Sequence, residues 1–375
     1  MKFVVSSTEL LARLQSVTRV ISSKNSLPIL DNFLFILKDS TLSITASDLE
    51  TTLKTSMTIE NVSEEGEITV PAKLLVDSLR EFADQPLEFK TNDNQLILDI
   101  TWATGNAKLP YTTAEDYPSI PELDERCTTI TINSRILLEG INRTLYATAE
   151  EELRPVMNGI YFDIDESNTT LVASDAHKLV CYTRHDIKSE SRSSFILPKK
   201  PSSVLKNILG KANEDVIIKF DNRNSTFVFE SFNLVCRLVE GNYPAYKSVI
   251  PKNNTNKLVI NRLDFLNSAR RVAVCSNQAS SQVRLKLTYN TLTLSAQDLD
   301  FSISANENLI CQYEGDNMEI AFKSTFLIEI LTNLPYTDIS LELSEPSRAA
   351  LILAAGPVDP QEEILALLMP MMVNA

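Results

Sequence analysis

Asp175 and His177 stand two residues apart, a carboxylate beside an imidazole, the combination that general acid–base catalysis uses. Nothing that would complete a catalytic set accompanies them. The chain has only eight glycines and contains no GxGxxG, P-loop, GxSxG or HExxH motif. Without a nucleophile or a metal nearby, His177 reads as the lining of a binding cleft. The one other histidine is His185, and two imidazoles cannot make a metal cage alone. The five cysteines, Cys127, Cys181, Cys236, Cys275 and Cys311, lie tens of residues apart and form no CxxC pair. They are expected to be free thiols in a reducing compartment, with neither a disulfide framework nor a zinc site. No metal and no cofactor is expected. The chemistry left is ionic, and its average is misleading: the net charge of −14 argues against a phosphate-rich partner.

The elements that carry the charges recur about one third of the chain apart. An alternating apolar opener followed by an amphipathic helix appears as Phe3-Val4-Val5 before residues 9–21, Ile130-Thr131-Ile132 before 134–147, and Leu258-Val259-Ile260 before 262–275. Leu11, Leu138 and Leu266 align, at spacings of 127 and 128. In the first copy Leu10, Leu11, Leu14, Val17, Val20 and Ile21 form an apolar stripe, with Arg13, Ser16 and Arg19 elsewhere on the surface. A strand running into an Asp corner follows, at Leu42–Asp48, Thr169–Asp175 and Leu292–Asp298. A carboxylate needed for catalysis has no reason to occur in triplicate, so the three aspartates read as structural. A second strand then leads to a second helix: Ile68–Pro71 before 73–82, Phe195–Pro198 before 204–209, and Ile320–Phe322 before 324–334. Charged or polar stretches near 121–127 and 251–256 read as linkers. With 43% hydrophobic residues the chain can bury more than one core, and the repeats predict domains at 1–125, 127–252 and 256–375. The longest apolar stretch, Ile364–Val373, is interrupted by Pro370 and too short to span a bilayer, and no signal peptide is evident, so a cytoplasmic protein with no membrane partner is expected.

Charge is segregated by element. Segments 6–24, 134–149 and 261–277 carry +2, +1 and +2, and segments 71–82, 198–211 and 323–334 carry 0, +4 and 0, leaving about −23 for the rest. Basic helices on an acidic body would repel DNA outside and receive it within a concave lining. Adjacent helix axes lie ~10 Å apart, so six helices would close a circle only ~19 Å across, under ~10 Å once the helices' own thickness is removed. Twelve give ~38 Å between axes and ~27 Å free, enough for a duplex. One chain cannot encircle DNA; two can.

The chain resembles the bacterial beta sliding clamp family across nearly its whole length. The resemblance is carried by Met1-Lys2-Phe3, Ser26–Leu30, Asp48-Leu49-Glu50, Thr69–Ala72, Asn158-Gly159, Ala173–Leu179, Leu238–Gly241 with Tyr243-Pro244, Ile250–Asn253 and Leu368–Met371, in that order. It implies an α+β fold of three repeated DNA-clamp domains, each two helices packed on antiparallel sheets, forming half of a six-domain ring. It also implies a head-to-tail homodimer and a non-catalytic role: processivity of the replicative DNA polymerase by tethering it to duplex DNA. The implied partners are sequence-independent duplex DNA, the polymerase catalytic subunit, the clamp loader, and other polymerases and repair proteins.

By motif match, the resemblance implies a cleft between the second and third domains that binds linear motifs. It is built from Arg154, Met157, Ser174, Ala176, His177, Lys178, Leu179, Pro244, Ser248, Val249, Ser347, Ala349, Leu367, Leu368, Met369, Pro370 and Met371. Methionines suit such a surface because they repack around varied anchors. By position, Lys24, Lys73, Arg80, Lys199, Lys200, Arg270 and Arg271 would contact DNA phosphates. Thr104 and Asn106 would meet Val274 and Cys275 of a second copy, standing where the family carries an aromatic residue and a leucine. Ala176 and Lys178 stand where the family carries Gly and Arg. Glu150-Glu151-Glu152 occupies a loop that often touches DNA in the family, and Met372–Ala375 extends past the usual end. A protein-only scaffold built from three repeats is the alternative; it would share the repeats but would not need the basic helices.

Overall fold

Six α-helices are present among the described residues of the computed structural model, which covers 1–150, 154–211 and 213–372. They are α1 (Ser7–Val17), α2 (Ala72–Arg80), α3 (Ser134–Thr144), α4 (Lys199–Ile208), α5 (Arg262–Ala273) and α6 (Ser324–Asn333). Glu151, Glu152 and Val373–Ala375, singled out above, lie outside the described residues.

Local sequence explains the helix starts. The Ser6 hydroxyl caps α1 by accepting from the Glu9 amide at 3.2 Å, and Asn261 caps α5 by accepting from the amides of Leu263 and Asp264. Leu10, Leu14 and Val17 then bury one face of α1 completely, each contributing about 1.5–3 kcal/mol. The first α-helix ends earlier than expected, at Val17, because it tightens into a 3₁₀ turn at Thr18–Val20 that still buries Val20; α3 does the same at Leu145–Ala147. The largest departure is α4, which begins at Lys199 rather than at 204. Pro201 is its third residue, where the missing N–H is one that has no intrahelical acceptor anyway.

The chain divides into two compact units, Met1–Leu138 with Lys200–Leu238, and Glu139–Lys199 with Val239–Ala375. In the first, eight strands run antiparallel in the order Thr128–Asn133, Asp215–Phe220, Asn224–Phe229, Phe232–Arg237, Thr51–Thr58, Thr41–Ser47, Asn32–Lys38 and Gly66–Pro71. Its five-stranded second sheet ends on Gly105–Pro110, and α1 packs on α2. In the second unit nine strands run Ser193–Pro198, Gly159–Ile164, Thr169–Ser174, Lys178–Arg184, Glu362–Leu368, Ala350–Ala354, Asp338–Leu343, Asn256–Asn261 and Gln312–Glu314. Its four-stranded second sheet ends on Ile303–Ile310, and α5 packs on α6. The same joint occurs in both units: the strand after an Asp corner pairs with the last strand of the next repeat, Thr51–Thr58 with Phe232–Arg237 and Lys178–Arg184 with Glu362–Leu368.

Gly159 shows how tight the second unit is. It pairs with Pro198, and a Cβ there would lie 2.5 Å from the Leu197 carbonyl oxygen, a backbone atom that cannot swing aside. Gly159→Ala should therefore cost about 1–3 kcal/mol, seen as a lower urea midpoint with an unchanged slope.

Candidate functional site

The three aspartates close the same turn. Asp48 Oδ1 accepts from the amides of Glu50 and Thr51, Asp175 Oδ1 from those of His177 and Lys178, and Asp298 Oδ1 from those of Asp300 and Phe301. Each second oxygen meets a different donor: Lys200 for Asp48, Lys178 for Asp175 and Asn277 for Asp298. The Asp175 and His177 pair is thus a turn: the carboxylate bonds the His177 backbone, and the imidazole stands exposed, its ring 5.8 Å from that of Phe326 on α6.

Strand alternation builds an apolar face beside this corner, the floor of the groove that the resemblance implies. One face of the nine-stranded sheet carries Tyr161, Val172, Cys181 and Leu365 in one cross-strand row, and Ser174, Leu179, Leu367 and Leu351 in the next. Val172, Leu179, Cys181, Leu351 and Leu367 form an apolar cluster with Ala349 and Tyr246, and Tyr243, Ile250, Tyr161 and Leu365 pack against it. Burial pushes the Cys181 thiol up to about 12, so it is an inert part of this floor. The segment from Tyr243 to Ile250 lies along the groove, with the Tyr243 ring stacked on Tyr161 at 4.7 Å. Pro244, Ser248 and Val249 of that segment are exposed, Val249 at 56%.

Lys178 and Leu368 pair with one another on the opposite face, where both are buried. Lys178 Nζ reaches Asp175 at 2.7 Å and Glu329 of α6 at 3.0 Å, and sits 4.3 Å from the Phe326 ring centroid. It props the corner from behind. Past Leu368 the chain turns along the end of the sheet: the Met369 amide donates to the His177 carbonyl at 2.8 Å and the Met371 amide to Ala321 at 2.7 Å. Met369 is 42% exposed, and Pro370 and Met371 are half-buried. Met157 closes a 3₁₀ turn begun by Pro155, with Arg154 exposed before it, and Val156 of that turn crowds Gly241 at the start of the wall. Ser347 stands on an exposed loop ahead of Ala349. The sequence reading missed Val172, Cys181, Leu351, Tyr246 and Phe326. Period-two alternation outward from Ser174, Leu179 and Ala349 would have found the first three.

The basic side chains differ in availability. Lys24 is exposed, and Lys73 and Arg80 stand exposed two turns apart on α2, lining a cleft of about 780 Å³, with Arg80 ion-paired to Asp77 of the same helix at 3.2 Å. Arg270 is exposed at the last turn of α5 and reaches Thr332 Oγ1 at 3.3 Å. The other three are engaged: Lys199 with Glu150 at 2.8 Å, Arg271 with Glu307 at 2.6 Å, and Lys200 with Asp48 and the Val20 carbonyl. Lys200 spans to a corner more than 150 residues away, which no local pattern reveals. Thr104 and Asn106 are exposed at the open edge of the five-stranded sheet, and Val274, 78% exposed, caps α5 with Cys275 half-buried beside it.

Three repeats of paired helices on antiparallel sheets, joined strand to strand, make this a DNA-clamp fold. Its thirds match the three domains of one family: the N-terminal domain of the DNA polymerase III beta subunit over residues 1–121, the central domain over 131–245 and the C-terminal domain over 247–372. The chain belongs to the DNA polymerase III beta subunit family. It is 28% identical to the beta sliding clamp of Pseudomonas putida over 95% of this chain and 96% of that one. The solved sliding clamp of Pseudomonas aeruginosa bound to griselimycin is similar at a TM-score of 0.94 and 27% identity, with both chains covered in full. That of Bartonella birtlesii, also bound to griselimycin, is similar at 0.93 and 28%, again with full coverage.

Ala176 sits at φ 72°, a left-handed conformation that a glycine adopts without strain. Ala176→Gly should therefore raise stability by about 1 kcal/mol, measured as a higher urea midpoint.

Proposed function

We propose that this chain is a DNA sliding clamp: two copies close head to tail into a ring of six clamp domains, 1–125, 127–252 and 256–375 from each, around duplex DNA. The ring confers processivity by tethering the replicative polymerase and performs no catalysis itself. The observation that carries this reading is the repeated joint. Each repeat passes its sheet to the next, and the strands Gly105–Pro110 and Ile303–Ile310 are left as open edges in the first and third repeats. Exposed apolar side chains gather around the latter edge, Ile303 and Ile310 at its two ends, Phe301 just before it and Val274 at the end of α5, and open edges of this kind are normally covered. Thr104 and Asn106 would meet Val274 and Cys275 there.

Six helices per chain, hence twelve, would line the channel. Phosphate contacts fall first to Lys24, Lys73 and Arg270; Arg80, Lys199, Lys200 and Arg271 would contribute less, because each must leave a carboxylate to do so. These contacts read no bases and leave the ring free to slide. The groove of Leu179, Leu367 and Ala349, rimmed by His177, Met369 and Met371, would take apolar anchors of linear motifs from the polymerase catalytic subunit, the clamp loader, and other polymerases and repair proteins. The cytoplasm is the expected compartment.

The purified protein should run in solution at twice its chain mass of 41.9 kDa. A strict monomer at micromolar concentration removes the ring. Once loaded, it should remain far longer on nicked circular DNA than on linear DNA of the same length, and equal residence would mean simple electrostatic binding.

A further inference from the structure

Asp163 belongs to the groove-side face of the nine-stranded sheet, next to Tyr161 in the alternation of its strand, and is 3% exposed. A carboxylate that far from water must be paired or cost several kcal/mol. Its Oδ2 accepts the Tyr246 hydroxyl at 2.8 Å and faces Lys247 Nζ at 3.0 Å. Its Oδ1 has no hydrogen-bond partner among the described residues, with Arg192 Nη2 at 3.7 Å. Both close partners therefore come from one short segment, the same one that carries Pro244, Ser248 and Val249. That segment has no strand pairing of its own; a 3₁₀ turn at Tyr246–Ser248 is its only regular structure.

We propose that Asp163 is the positioning residue of the groove: its buried carboxylate, through Tyr246 and Lys247, fixes the free wall at the spacing that a peptide anchor requires. The proposal rests on the groove being the peptide site. The wall is also held by the Tyr243 ring stacked on Tyr161, by the Tyr246 ring edge-on to Tyr161 within the apolar cluster, and by Ile250 on the apolar floor. Among these contacts Asp163 adds a directed bond to Tyr246 and an ion pair to Lys247. Burial, and then the bond to Asp163, keep the Tyr246 phenol protonated well above its ordinary range, so it remains a donor at every working pH. Peptide binding to a wall already in place avoids the ordering cost that a loose segment would charge on each association.

The test uses the full chain and a fluorescein-labelled synthetic peptide carrying a polymerase clamp-binding motif, followed by fluorescence polarisation. Tyr246→Phe removes one hydroxyl and keeps the ring; with Lys247→Met added, both bonds to Asp163 are gone. The double variant should bind the peptide about tenfold more weakly, in line with a charge-assisted hydrogen bond, with dimer mass unchanged and a lower thermal midpoint, because Asp163 is left buried without its two close partners. Asp163→Asn, which still accepts from Tyr246, should lose less affinity than Asp163→Ala. Adding Asp163→Ala to the double variant removes the unpaired charge, so it should bring the thermal midpoint back toward wild type without restoring affinity, since the coupling is already broken. Wild-type affinity in the double variant overturns the assignment while leaving the groove intact. Affinity that returns together with the thermal midpoint when Asp163→Ala is added also overturns it, since that marks a general structural role. If the wild-type chain binds no peptide, and loses nothing on truncation after Leu368, the groove reading falls and the assignment with it.

Discussion

Seven consecutive residue pairs, from Lys178 with Leu368 to Arg184 with Glu362, fix how two strands separated by some 180 residues lie side by side. Side chains alternate along a strand, so this register decides which residues face the groove and which face the helices. A slip of the last strand by one place would bring Leu368 to the groove and send Leu367 toward α6, while Leu179 stayed where it is. Charges pin both ends. Lys178 is held by Asp175 and Glu329 at one end, and at the other the guanidinium of Arg184 lies among Asp186, Asp359 and Glu362. Between the pins the apolar row supplies the energy, and the ionic ends choose the alignment.

Much of this was legible in the sequence, for identifiable reasons. Two-residue alternation marked the strands, and the apolar stripe Leu10, Leu14, Val17 marked the first helix. The triplicate Asp corner marked the repeat because local backbone bonds made by an Asp leave a local signature. Contacts across long separations leave none. The seating of Lys200 on Asp48, the prop of Lys178 against Glu329, and the bond of Tyr246 to Asp163 all involve residues whose types suit many roles. The start of α4 was misplaced because Pro201 reads as a break unless it falls within the first turn. Phe326 was passed over because an aromatic on an amphipathic helix reads as core.

The first unit contains the same joint with different side chains. Where the groove has Val172, Ser174, Leu179 and Cys181, the corresponding positions before and after Asp48 are Thr45, Ser47, Thr52 and Lys54. Opposite them stand Val235 and Asn233 in place of Leu367 and Leu365. Ser47 and Thr52 satisfy each other at 2.8 Å, and the Tyr117 hydroxyl turns to the Thr45 carbonyl. Backbone geometry is therefore repeated while the apolar face is not.

That asymmetry sets a valency. A closed pair of chains would present four such joints but only two berths for an apolar anchor, so at most two motif-bearing proteins could hold a ring at once by this means. A third would have to wait for a vacancy or displace an occupant, and traffic on the ring becomes a matter of turnover at a scarce berth.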